Sequence, residues 1–147
     1  MKHICELNDQ IILGQGGRSA NTPRLTARAI VHNCDGLYAV MYAEKYGLHS
    51  LPGGGIEDGE DALTALRREI YEETGCTCDA IQELGIVSEN RASLDYTQIN
   101  YYYVVTTADA PSENHLTDAE KDNHTIVESS FFITLKKRRN QICYRKN

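Results

Sequence analysis

The residues best suited to chemistry lie between Pro52 and Cys76. Glu69, Glu72 and Glu73 recur at spacings of three and four. On a helix turning about 100° per residue they share an arc of roughly 100°. Leu63, Leu66 and Ile70 form an apolar stripe beside that arc. The acidic face therefore borders the buried face, whereas a solvated acidic face would lie opposite it. Like charges one turn apart repel, and the macrodipole disfavours anions near a helix C-terminus. A cation is expected to offset them, and oxygen-only donors suit Mg²⁺ or Mn²⁺. On the helix alone, ordinary salt bridges explain the cluster equally well.

The preceding loop shifts that balance. Gly54 and Gly59 have the spacing of phosphate-loop glycines, but Glu60 stands where the lysine belongs. A phosphate cradle that presents a carboxylate needs a metal between the two. Gly53, Gly54 and Gly55 let the backbone approach a ligand closely, and their carbonyls are hard oxygen donors.

These residues need a helix and a sheet to hold them. The pattern predicts a helix over 61–74, with Asp61 as N-cap and Gly75 just past the end. Strands are expected over 28–32, 37–43, 81–88, 96–107 and 126–135, with a hairpin turn at 33–36. Ile99, Tyr101, Tyr103 and Val105 alternate onto one face. Residues 13–23, 51–59 and 108–124 read as loops. Ser19 stands where a dinucleotide-binding loop needs its third glycine, so 14–19 is not that fingerprint.

At 147 residues the chain has the size of one domain. Its net charge of −6 argues against non-specific nucleic-acid binding. Residues 1–135 hold nine bases against 21 acids, and the last twelve residues carry six bases and no acid. No run approaches the roughly 18 apolar residues of a membrane span. Met1 to Gln10 lacks the apolar core of a signal peptide. Five cysteines at irregular spacing, without C-x-x-C, read as reduced thiols in a cytoplasmic protein.

Taken together, Gly54-x5-Glu60-x7-Arg68-Glu69-Ile70-x-Glu72-Glu73-x-Gly75-Cys76 resembles the signature box of the Nudix, or MutT-like, hydrolases. Cys76 fills a slot that is usually aliphatic, and Leu51-Pro52-Gly53 is also typical of the family. The resemblance implies a single-domain α/β fold, an α/β/α sandwich around a central mixed sheet. It implies metal-dependent hydrolysis of a nucleoside diphosphate linked to another moiety: a nucleoside triphosphate, oxidised nucleotide, ADP-ribose or similar. By position, Glu72 and Glu73 resemble metal ligands, Glu69 a ligand or the base, and the Gly53 carbonyl a backbone ligand. Arg68 and Glu60 resemble an orienting ion pair. Where the base lies outside the box, Glu113, Glu120 and Glu128 are the candidates.

Substrate contacts are expected from Arg28, His49, Tyr102 and Glu120; the plain alternatives are surface ion pairing for Arg28, a surface or loop position for His49 and cover of the sheet for Tyr102. The expected partner is a small nucleotide, with neither nucleic acid nor membrane. A catalytically silent nucleotide-binding regulator on the same fold is the second reading. The C-terminus departs from the family, because residues 136–147 lack the apolar face of a closing helix. A catalytic domain over 1–135 and a basic tail, helical or disordered, over 136–147 are expected. A lost native ending would leave a sheet face for a second subunit to cover, as in a homodimer.

Overall fold

Alternation on two long strands organises the sheet. The computed structural model describes residues 1–14, 16–43, 47–109, 131–138 and 141–146. Strand β2 (Arg24–Asn33) runs parallel to β7 (Tyr96–Thr107), with Ala27 opposite Tyr101, Ala29 opposite Tyr103 and Val31 opposite Val105. Helix α2 (Ala62–Thr74) covers that face. Ala27, Ala29, Val31, Tyr103 and Val105 are buried there with Ala65, Leu66, Ile70 and Cys76. Three alanines at the contact let helix and sheet approach closely.

The remaining elements extend this unit. They are β1 (His3–Asn8), α1 (Asp9–Leu13), β3 (Tyr38–Ala43), β4 (Leu48–Ser50), β5 (Gly53–Gly55), β6 (Ala80–Arg91), β8 (Phe131–Arg138) and β9 (Gln141–Lys146). Strand order is β1-β6-β7-β2-β3-β8-β9, with β4 on β3 and β5 on β2. The pairs β1–β6 and β2–β7 are parallel and the others antiparallel, so the sheet is mixed as expected. Among the described residues, no helix is long and apolar enough to cross a membrane.

Helix α2 starts and stops as the sequence predicts. The Asp61 carboxylate accepts from the Thr64 amide at 2.7 Å, and Gly75 takes the left-handed conformation at φ 69°. Two other expectations are corrected. Residues 51–59 are not all loop, because Gly53–Gly55 pairs with Thr26, Ala27 and Arg28 as a short strand. The basic segment 136–147 is neither helix nor disorder where described: β8 runs through to Arg138 and pairs with β9.

Away from α2, the sheet carries a buried polar ladder. The Thr26 hydroxyl donates to Asn100 Oδ1 at 2.7 Å, and Gln98 Nε2 also donates to Asn100. Near the N-terminus, buried Asp9 accepts from Arg91 Nε at 2.7 Å and from the Ser93 amide at 2.6 Å. That ties α1 to the short 3-10 turn at Ala92–Leu94.

Leu66 is fully buried between helix and sheet. Leu66→Ala is expected to destabilise the fold by about 3 kcal/mol through lost burial and the cavity left behind. Urea unfolding checks this, with a lower midpoint at unchanged slope as the expected result.

Candidate active site

Strand β5 and helix α2 meet at the glycine run. Gly53 has φ 126°, and a Cβ there would collide with the backbone carbonyl of Ala27. A Cβ at Gly54 would collide with the Glu69 carboxylate. The run therefore has two separate reasons to lack side chains. One lets β5 lie tight on β2, and the other leaves room for a carboxylate against the backbone.

Arg68 is the hub. Its Nε donates to Glu60 Oε1 and its Nη2 to Glu60 Oε2, both at 3.0 Å. Nη2 also donates to the Gly55 carbonyl at 3.1 Å. Nη1 reaches Glu69 Oε1 at 3.0 Å and Glu72 Oε2 at 3.3 Å. Glu73 turns elsewhere and accepts from the Gly53 amide at 2.7 Å. The Arg68 hydrogen bonds hold the Glu60 carboxyl at about 2, well below its ordinary 4.5, with help from the Glu57 amide. The same bonds, Glu60 first, push the Arg68 guanidinium further up.

Glu60, Glu69 and Glu72 share one guanidinium, so the cluster keeps a net negative charge. Glu69 is nearly buried at 7% exposure, where uncompensated charge is expensive. All side-chain donors are carboxylate oxygens, and the Gly54 backbone sits against one of them. That chemistry fits a hard divalent cation. As the side chains stand, no three His, Cys, Asp or Glu residues among those described converge to hold one. Arg68 Nη1 occupies the space between two of them.

Comparison with known proteins identifies the family. The profile of the NUDIX domain matches residues 22–137, most of the chain. This chain belongs to the Nudix family. An RNA pyrophosphohydrolase from Shewanella pealeana is 40% identical over 65 residues, covering 43% of this chain and 36% of that protein. The Nudix chain thus spans about a third of the length of that curated relative. A NUDIX hydrolase from Nitrosomonas europaea superposes with TM-score 0.56 at 24% identity, over 66% of this chain and 67% of that one. The NUDIX domain of Shewanella oneidensis NrtR, solved with ADP ribose, superposes with TM-score 0.56 at 16% identity, over 74% and 75%. These two likenesses concern the fold.

The structure brings Glu60, Arg68, Glu69 and Glu72 into contact and sets Glu73 against Gly53. Arg28 pairs with Gly53 on one side and Tyr102 on the other, and its Nη1 donates to the Leu51 carbonyl at 3.0 Å. Tyr102 is half-buried on the sheet face away from α2. His49 packs over Tyr42, with ring centroids 4.9 Å apart. Glu113, Glu120 and Glu128 lie outside the described residues. Two contacts escaped sequence reasoning: the Gly55 carbonyl's acceptance from Arg68, and Arg24, whose Nη2 lies 3.2 Å from where a Gly55 Cβ would be. The run of three glycines was the signal for the first; nothing in the sequence pointed to the second.

Glu60 makes a pH-dependent contribution to stability. Its folded pKa is depressed, so that contribution is complete above 4.5 and is lost as pH falls toward about 2. Glu60→Gln should lower stability at neutral pH and flatten the acid limb in that window. Melting temperature against pH checks it, with an unchanged acid limb as the contrary result.

Proposed function

We propose that this Nudix chain hydrolyses a phosphoanhydride bond in a nucleoside diphosphate joined to another moiety, with Mg²⁺ or Mn²⁺. The observation that carries the reading is the union of Glu69 and Glu72 with the Gly53–Gly55 strand through Arg68, and of Glu73 with the same strand through the Gly53 amide. Glu69, Glu72, Glu73 and the Gly53 carbonyl would hold the ion. Its chemistry is to neutralise pyrophosphate oxygens and ease deprotonation of the attacking water.

The chain's own residues do the rest. Glu69 is the proposed base, since it is nearly buried and lies against the open Gly54 backbone. Glu120 is held as an alternative base or substrate contact. Glu60 fixes the Arg68 fork, and that fork fixes where Glu69 and Glu72 point. Arg28 stands opposite Gly53 on the neighbouring strand, with Tyr102 beside it on the strand beyond, and the two are proposed to meet the phosphate and the base. His49, on the strand before that run, is proposed as a further phosphate contact. Cys5, Cys34, Cys76 and Cys78 are free thiols, in keeping with a reducing cytoplasm. The homodimer stays a proposal that a sedimentation measurement decides.

A phosphate-release screen with Mg²⁺ tests the activity. Its arms are nucleoside triphosphates, oxidised nucleotides, ADP-ribose, dinucleoside polyphosphates and RNA bearing a 5′-triphosphate. The RNA arm follows from the name of the Shewanella pealeana relative. Turnover of one class, abolished by chelator, is expected. Binding without turnover across the panel would instead make the chain a nucleotide-binding regulator. Glu73→Gln should cut kcat by about 10² or more on the active substrate, and near-normal turnover in that variant would remove the assignment.

A further inference from the structure

A guanidinium has five N–H donors, and all five in Arg68 are engaged. They divide into two sets. Nε and Nη2 give three bonds to Glu60 and the Gly55 carbonyl, residues of the glycine strand and the turn after it. Nη1 gives both of its bonds to Glu69 and Glu72, two of the carboxylates proposed to hold metal. The first set anchors the side chain. The second places a positive charge between two carboxylates that would otherwise repel one another.

We propose that Arg68 is the resident cation of the metal-free site, with Nη1 holding Glu69 and Glu72 until a divalent ion displaces it. This rests on the metal reading given above. Metal loading is then an exchange of one cation for another. Glu60 and the Gly55 carbonyl keep hold of Nε and Nη2, so the guanidinium stays in place while Nη1 releases its partners. Glu73 joins by leaving the Gly53 amide, a bond within reach of the same backbone. The exchange explains why three carboxylates can sit on one helical turn in the absence of metal without unfolding it. It also explains the position of Glu60, since without that anchor the whole guanidinium would be free to follow the two carboxylates.

A purely orienting arginine and a competing one predict opposite effects on metal affinity. Mn²⁺ binding by the chelator-stripped chain, followed by electron paramagnetic resonance, separates them. Arg68→Gln is expected to bind Mn²⁺ at least about fivefold more tightly, the low end of a typical coupling between linked binding events. The metal-free variant should also melt lower than wild type, with the difference narrowing when Mn²⁺ is added. Equal or weaker Mn²⁺ binding overturns the exchange and leaves Arg68 as an orienting residue. A second measurement needs no variant: arginine side-chain ¹⁵N resonances of the wild-type chain during Mg²⁺ titration. The Nη1 signal of Arg68 should shift at saturation while its Nε signal holds. An unmoved Nη1 signal under saturating Mg²⁺ overturns the proposal even if the variant binds more tightly. Failure of the wild-type chain to bind Mn²⁺ at all would instead remove the metal reading, and the exchange with it.

Discussion

Three carboxylates within one turn and a half of a helix repel, and the site depends on how that repulsion is met. The answer is a single guanidinium gripped from outside the helix. Glu60 holds the Arg68 fork on two nitrogens, and the Gly55 carbonyl holds one of them again. Arg68 is thereby fixed relative to β5 rather than merely to α2. Its remaining nitrogen sets the positions of Glu69 and Glu72 relative to the glycine backbone. A lysine would not serve here, because a point charge cannot grip Glu60 bidentately and still reach two other carboxylates.

That grip works only because β5 and α2 are brought together by features far from the charges. Asp61 and Gly75 fix the ends of α2. Ala27, Ala29 and Ala65 keep helix and sheet close, and Leu66 and Ile70 fill the seam. The acidic arc then stands at the rim of this seam, where Glu69 is nearly buried and Glu72 is less so. An acidic face turned fully outward would meet solvent and would need neither glycines nor an arginine.

Local chemistry made the centre of the molecule legible. Helix caps, apolar periodicity on α2 and alternation on β7 are written within a dozen residues each, and their boundaries were read closely. The edges were not. Strand β1 has little apolar pattern, and its place is set by parallel pairing with β6, some eighty residues away. Helix α1 spans five residues and is fixed by Asn8 at its start and by buried Asp9, which binds Arg91 and Ser93. Strand β5 consists of glycines, a poor strand sequence, and forms because β2 offers it an edge. Strand β9 is basic and takes its form from β8. Within the site, the spacing of the box identified which residues meet, but not that Glu73 would turn to a backbone amide while its neighbours turn to Arg68.

The charge pattern of the chain acquires a physical meaning at this centre. Arg68 balances one of the three carboxylates it touches, and Glu73 adds a fourth negative charge nearby. A pyrophosphate brought to such a surface would be repelled, so under the proposed function the protein alone would reject the anion it is to cleave. A divalent ion bound there, as proposed, would reverse the sign of that surface locally while leaving the rest of the acidic body unchanged. An arginine that yields to the ion, as proposed, would keep the helix intact before loading, and after loading it would remain on Glu60 as a positive group near the site. The same side chain would then serve stability in one state and electrostatic attraction in the other, without leaving its anchor.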